Sequence, residues 1–342
     1  MNSANTSNFY YYRFYGFFLR INQQLVGFAP LQNIKQFEIK VSLLANSSAQ
    51  GQKLLKLYDF DWIPLSENTS ESNFDLSKAS QNQKTYYKIR YVVQQELIEY
   101  IFDADGNEIW GFYSTENILQ DTVSLLLGYV LGNVARLRGY LAFHASAIAV
   151  KNRVILLTGD SGAGKSTTAA ALSRIGCPIL ADDIAVLKLE QGQYWVEPGY
   201  PRLRLWPKSF KVFDTCSKEL TRVSSFRNKR YLNLESSNSG KWLFQSEALP
   251  LAGIYIMGQR SQQLEQSSVQ SLASSQAMTK LIKSVYGSYF LNQNIRKQEF
   301  QQLAQFVRQV PVRQLSRPNN LGNLAQLCSL IIKDAQLLTL KI

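Results

Sequence analysis

Cysteine is scarce in this chain of 342 residues: Cys177, Cys216 and Cys328 are odd in number and far apart. A disulfide framework and a Cys-rich zinc site are therefore excluded, and a reducing compartment is expected. Proline is also sparse, with 9 residues, glycine numbers 19, and 45% of the chain is hydrophobic. That composition excludes collagen-like and disordered chains. Uninterrupted apolar runs of the roughly 18 to 20 residues that cross a membrane are missing. The aromatic start, Phe9 to Ile21, is broken by Arg13 and Arg20 and leads to no small-residue cleavage site, so it does not read as a signal peptide. These absences predict a cytoplasmic protein without a membrane partner. Acidic residues are outnumbered, 25 against 37 Lys and Arg, for a formal net charge of +12. The excess favours an anionic partner: nucleic acid, membrane surface, nucleotide or acidic peptide. No long Lys/Arg tract and no nucleic-acid motif stands out, which argues against nucleic acid.

At roughly 100 to 200 residues per domain, the length predicts two. The first ten residues, rich in Asn and Ser, read as a loose terminus. Strand-like runs follow at Tyr10 to Ile21, Phe37 to Leu44, Lys84 to Val93, Leu97 to Phe102 and Glu108 to Tyr113, the last two joined by the turn Asp105-Gly106-Asn107. Ser66 to Gln83 is polar and reads as a surface loop. Residues 1–116 are thus expected to form a β-rich amino-terminal domain, with substrate recognition as its candidate role, and residues 117–342 a second, catalytic domain. There, Asp121 to Arg138 carries an apolar stripe at helical spacing and stops at Gly139. Ala145 to Val150 and Val154 to Thr158 flank a tight polar turn, Lys151-Asn152-Arg153.

Gly159-Asp160-Ser161-Gly162-Ala163-Gly164-Lys165-Ser166 fits G-x-x-x-x-G-K-[ST] at every position, with Thr167 next. Small residues let the backbone curl until successive N–H groups point inward at phosphate oxygens, and the following helix adds its positive end. In such a loop Lys165 meets the β- and γ-phosphates and the Ser166 hydroxyl coordinates Mg²⁺. Context agrees: Val154 to Leu157 is a buried-strand pattern, and Ser166 to Ile175 is rich in helix formers before Gly176. ATP with Mg²⁺ is the implied ligand.

After Gly176, the short strand Cys177 to Ala181 ends in Asp182-Asp183. Ligands of open α/β sheets gather at the carboxyl ends of strands, where this pair falls. Phosphoryl transfer to a hydroxyl needs one carboxylate to take the proton and another to hold or position Mg²⁺. A turn cap beside a solvated carboxylate is the alternative. His144, the single histidine, sits among Leu141-Ala142-Phe143 and Ala145-Ser146-Ala147, and residue types alone favour a packed core imidazole.

The ordered set changes that balance. His144 lies 21 residues before Lys165, and Asp183, in Ala181-Asp182-Asp183, lies 18 after it. These elements resemble the catalytic domain of HPr kinase/phosphorylase, which has the same G-D-S-G-x-G-K-S loop, histidine and A-D-D at those offsets. The resemblance implies an α/β phosphate-loop kinase domain of the HPr kinase/phosphoenolpyruvate carboxykinase-like type. It implies Lys165 on phosphate, Ser166 on Mg²⁺, Asp183 as the base for a substrate serine, and His144 near the transferred phosphate, with Asp182 beside them. Where that family carries a Gly-rich stretch with a metal-binding Glu, this chain has Glu197-Pro198-Gly199-Tyr200-Pro201-Arg202-Leu203-Arg204-Leu205-Trp206, so Glu197 is the residue offered for the metal. Leu137-Arg138-Gly139, His144-Ala145-Ser146 and the Pro-Gly to Leu-Arg-Leu-Trp segment are similar to those of HPr-kinase-like serine kinases of lasso peptide clusters, over about Ile118 to Pro318. That subgroup phosphorylates a serine of a small peptide, and its wider family is often homo-oligomeric.

Arg202 and Arg204 alternate with Leu203 and Leu205, which puts both guanidinium groups on one face of a strand; they either stabilise charge on the γ-phosphoryl group or mark a half-exposed strand. Lys229-Arg230 reads as solvated surface rather than as a contact to the triphosphate or the peptide, and the five Trp as core rather than stacking platforms. Leu249 to Met257 reads as a buried strand, Gln276 to Tyr289 and Gln298 to Gln309 as helices, Val310 to Val312 as a late strand, and Leu321 to Leu337 as a closing helix. The functional expectation is an ATP-dependent serine kinase acting on a peptide or small protein. Its rivals are a nucleotide-binding regulator or ATPase, and a small-molecule kinase or phosphoenolpyruvate carboxykinase-like enzyme.

Overall fold

The computed structural model describes residues 9–65, 74–213, 220–225, 228–234, 242–287 and 293–339. The architecture is mixed α/β, in two compact units. One runs from the start of the described chain to Arg138 with Ser224 and Ser225; the other comprises Gly139 to Val223 and the remaining described residues.

The first unit is built on β1 (Tyr10–Phe14), β2 (Phe17–Ile21), β3 (Ile39–Ala45), α1 (Ala49–Leu57), β4 (Ile63–Pro64), β5 (Phe74–Gln81), β6 (Lys84–Val93), β7 (Glu96–Asp103) and β8 (Glu108–Tyr113). Its eight strands lie in the order β1-β2-β3-β8-β7-β6-β5-β4, with parallel pairs only at β2/β3 and β3/β8. The run Tyr10 to Ile21 is a hairpin rather than one strand. Tyr15 and Gly16 both take positive φ, the geometry that matches a two-residue turn to the twist of its strands. Asn82-Gln83 and Gln94-Gln95 turn in the same way. Part of the expected loop Ser66 to Gln83 is strand β5, since ten-residue β6 offers it a partner edge; residues 66–73 lie outside the described set. The Asp105-Gly106-Asn107 turn stands where expected, held by Asp103 Oδ1, which accepts from the N–H groups of Asn107 (2.8 Å) and Glu108 (3.0 Å).

α2 (Leu119–Leu125), a π-helical turn at Leu126–Val130 and α3 (Leu131–Leu137) form one continuous helical run in this unit. Glu116–Leu137 is long and apolar enough to cross a membrane by length and composition, which a search for unbroken apolar runs overlooks because Asp121, Asn133 and Arg136 interrupt it. All three are buried in this unit, Asp121 accepting from the Ser225 N–H at 2.9 Å and Asn133 donating to the Tyr129 carbonyl at 2.7 Å. With 72% of its apolar window buried, the segment packs as a core helix.

The second unit contains β9 (Leu141–Phe143), β10 (Ala145–Val150), β11 (Arg153–Thr158), α4 (Lys165–Arg174), β12 (Ile179–Ala181), β13 (Ala185–Glu190), β14 (Gln193–Glu197), β15 (Arg202–Leu205), α5 (Pro207–Phe210), β16 (Arg230–Asn233), β17 (Leu249–Ser261), β18 (Ser268–Ser271), α6 (Ser274–Leu281), α7 (Gln293–Gln309), β19 (Val312–Pro318) and α8 (Leu324–Thr339). The main sheet runs β12-β10-β11-β17-β14-β13-β9, and β19, flanked by β18, also pairs with β17; β11/β17 and β17/β19 are parallel. Successive residues of β10 and β11 point to opposite faces, and both faces are buried. Ile148, Val150, Ile155 and Leu157 pack with α4 and α8, while Ala147, Ala149, Val154 and Leu156 pack with α6 and α7. Burial on both sides explains why these strands read as unbroken apolar runs. The expected helix Gln276 to Tyr289 is shorter: α6 gives way to a 3-10 turn at Ile282–Ser284, and Tyr289 lies outside the described residues. The late strand expected at Val310 to Val312 instead begins at Val312 and continues to Pro318, because it gains pairing from β17 and β18 together.

Candidate functional site

β11 delivers the chain into the glycine loop, and α4 leaves it. Gly159, Gly162 and Gly164 all have positive φ (141°, 81° and 94°), which L side chains adopt only under strain. A Cβ on Gly159 would come within 2.6 Å of the Met257 carbonyl oxygen, whereas one on Gly162 would meet nothing within 4 Å. The loop is therefore tight against the sheet at its base and open at its crown. Lys165, the first residue of α4, is buried, and its ammonium donates to the carbonyl oxygens of Gly159 (2.8 Å) and Asp160 (3.2 Å). Burial lowers its pKa, against the opposing pull of Asp182 and Asp183.

β12 ends one residue before the acidic pair. Asp182 is 4% exposed, and its carboxylate is fully engaged. Oδ1 accepts from the hydroxyls of Ser146 (2.6 Å) and Ser166 (2.9 Å), and Oδ2 from the Arg204 N–H (3.0 Å). Asp183 turns the chain with φ 73°, a left-handed conformation that Asp tolerates better than most side chains. Arg204 donates to its Oδ2 at 2.9 Å, and His144 Nδ1 lies 3.6 Å from Oδ1. Burial alone would raise the Asp183 pKa; Arg204 first, then His144, Lys229 and Lys165, outweigh it and hold the value at about 2. His144 Nδ1 is also 2.8 Å from the Asp183 carbonyl oxygen. A carbonyl can only accept, so Nδ1 carries a proton.

A cleft of about 280 Å³ gathers His144, Lys165, Ser166 and Asp183 with Ser161, Gly162, Gly164 and Thr167 of the loop and helix start. Asp182 stands behind this lining and reaches it through Ser166. Asp160 and Ala163 line a neighbouring cavity of about 270 Å³ instead. Glu197 lines neither; it is buried at the end of β14, where the Lys188 ammonium lies 3.1 Å from Oε1. Of the two arginines on β15, both buried, Arg204 enters the cleft, whereas Arg202 places its guanidinium over the Tyr231 ring, 4.9 Å from its centroid. Lys229 also faces the cleft, 5.7 Å from the Trp206 ring centroid, which corrects its reading as solvated surface; Arg230 turns away to the Leu220 carbonyl.

Ser146 and Trp206 are the residues the sequence did not single out. Ser146, the second residue of β10, alternates with the inward-facing Ala145 and Ala147 and reaches the Asp182 carboxylate. Trp206 is 40% exposed and lines the cleft, so one of the five Trp is not core. Thr167 and Ser209 share a hydrogen bond of 2.9 Å at the same opening. Among the described residues no three His, Cys, Asp or Glu side chains cluster as an all-protein metal site. Mg²⁺ that travels with phosphate needs only one or two protein oxygens, and the Ser166 hydroxyl, lining the cleft while it donates to the Asp182 carboxylate behind it, supplies one. The residues present thus fit that ion.

No protein-family model and no curated protein matches the chain. Among solved structures, the Hpr(Ser) kinase/phosphatase from Coxiella burnetii is a distant structural match, with 10% identity, 57% of this chain and 96% of that chain covered, and a TM-score of 0.33.

Proposed function

We propose that this chain is an ATP-dependent serine kinase that transfers the γ-phosphate to a serine hydroxyl of a peptide or small protein. The observation that carries the reading is the meeting, in one cleft, of a glycine loop with its lysine and an aspartate–imidazole pair. The likeness of the loop, His144 and Asp182-Asp183 to HPr kinase/phosphorylase supports the same reading from sequence spacing.

The loop amides and Lys165 hold the triphosphate, which replaces the carbonyl contacts the ammonium makes without it. Ser166 and Asp182 are the residues for Mg²⁺, whose charge would offset that of the phosphate oxygens. The serine oxygen forms a bond to the γ-phosphorus as the bond to the ADP oxygen breaks, and Asp183 takes the hydroxyl proton. Little negative charge need build on the attacking oxygen in a loose transition state, so a weakly basic carboxylate serves. Arg204 governs that basicity. Phosphate oxygens compete with Asp183 for its guanidinium, and drawing it away raises the carboxylate's proton affinity. His144, beside Asp183 in the cleft, is the imidazole near the transferred phosphate.

Incubation with γ-labelled ATP, Mg²⁺ and a library of serine-containing peptides tests the reading. Label in a peptide, lost in Asp183→Asn while ATP still binds, is the expected result. Release of free phosphate alone would make the chain an ATPase, and normal transfer by Asp183→Asn would remove that residue from the base role.

A further inference from the structure

Two arginines that the proposed chemistry does not use press against the glycine loop. Arg260 lies on β17 and Arg317 opposite it on β19, in direct register across the parallel pair. An atom added at Gly164 would lie 3.0 Å from Arg260 Nη2 and 3.3 Å from Arg317 Nη1, so both guanidinium groups converge on one point at the loop. Arg317 is 5% exposed, donates to the Ala163 carbonyl, and leaves its buried Nε–H without a hydrogen-bond partner among the described residues. Neither arginine has a carboxylate partner there. Burial and the neighbouring Arg260 together lower the Arg317 pKa to about 10.

Two like charges side by side, one of them buried with an unmet donor, are costly unless something anionic completes them. The cavity of about 270 Å³ that they line with Gln259, Ser161 and Gly162 has room for such a group. Arg260 also lines the main cleft, which makes the two spaces neighbours. A guanidinium fork matches the oxygens of a tetrahedral oxyanion two at a time.

We propose that Arg260 and Arg317 form a second oxyanion site beside the glycine loop, built for one phosphate-type group. The group comes either from the nucleotide whose other phosphates the loop holds, which rests on the function proposed above, or from a separate phosphate ion. The charged groups facing it are Arg260, Arg317 and, on the exposed side of the loop, Asp160.

Calorimetric titrations of wild type, Arg260→Gln and Arg317→Lys separate the cases, with circular dichroism to confirm folding. Arg260 is exposed, so its variant keeps the test intact if the buried Arg317→Lys misfolds. If the nucleotide is the source, ATP affinity falls about tenfold in Arg260→Gln, the scale of one charge-assisted contact. If a separate ion is the source, ATP affinity holds, while inorganic phosphate titrated into protein saturated with a non-hydrolysable ATP analogue binds wild type and not Arg260→Gln. Unchanged ATP affinity with no Arg260-dependent phosphate binding, with or without the analogue, overturns the site. Should wild type fail to bind ATP, the kinase reading falls, and phosphate titration of the nucleotide-free protein still decides this one: binding that depends on Arg260 supports the site, and binding that does not refutes it.

Discussion

The first unit buries Tyr12, Tyr15, Phe17, Tyr100, Phe102 and Phe112, each at most 2% exposed, whereas the buried side chains around the glycine loop of the second include Lys165, Asp182, Arg204 and Arg317. The phenols of the first unit are satisfied: Tyr15 donates to the Leu127 carbonyl at 2.9 Å, Tyr100 to that of Thr122 at 2.8 Å, and the Tyr12 oxygen accepts from the Leu25 N–H at 2.9 Å. The second unit instead brings buried charges, Lys165 and Arg204, to one cleft together with Asp183. Charged groups are costly to desolvate, and where several converge on one opening that opening is the place where stability is given up for chemistry.

The sharpest way to break this contrast is to change Asp183. Asp183→Asn, which tolerates the same φ, is expected to cut peptide phosphorylation on the order of 10²- to 10⁴-fold, the range of a lost general base. Transfer assays with matched ATP-binding measurements check it. In the first unit, Phe102→Ala removes a fully buried ring and is expected to cost about 3–5 kcal/mol, read as a lowered urea midpoint. Gly111→Ala comes next. Its Cβ would lie 2.5 Å from the Tyr100 ring and 2.7 Å from Leu43, so about 1–3 kcal/mol of overpacking is expected in the same measurement.

The smallest effect is on acid stability. The Asp183 pKa is lowered from its ordinary 3.8 to about 2, so its ion pairs contribute fully above the unfolded value. That contribution is lost as pH falls from about 4 through about 2. Wild type should show this acid-dependent component in urea midpoints measured across that window, and Asp183→Asn should lack it; equal pH dependence would refute the ion-pair account.

What the sequence disclosed follows from how local each signal is. Val154 to Leu157, the glycine loop and Ala169 to Leu172 announce strand, turn and helix within twenty residues, and the structure has them in that order. Asp182-Asp183 stood out at the end of a short strand and His144 only through the family resemblance, and the cleft brings Asp183 and His144 together. Turns at Tyr15, Gln94 and Gln95 were illegible because these residue types rarely take positive φ, which pairing of the flanking strands imposes here. Strand β5 was missed because its polar residues, Ser77, Lys78, Ser80 and Gln81, gain strand structure only by pairing with β6 and β4. Arg260 and Arg317, 57 residues apart, meet only through the register of β17 and β19, which no local pattern reveals.

Equilibrium binding of ATP·Mg²⁺ to wild type and Lys165→Ala tests the central claim most directly. Wild type is expected to bind, and the loss of the loop ammonium to weaken that binding at least about tenfold. No binding by wild type, or the same affinity in both proteins, would contradict the claim that the glycine loop is a triphosphate site.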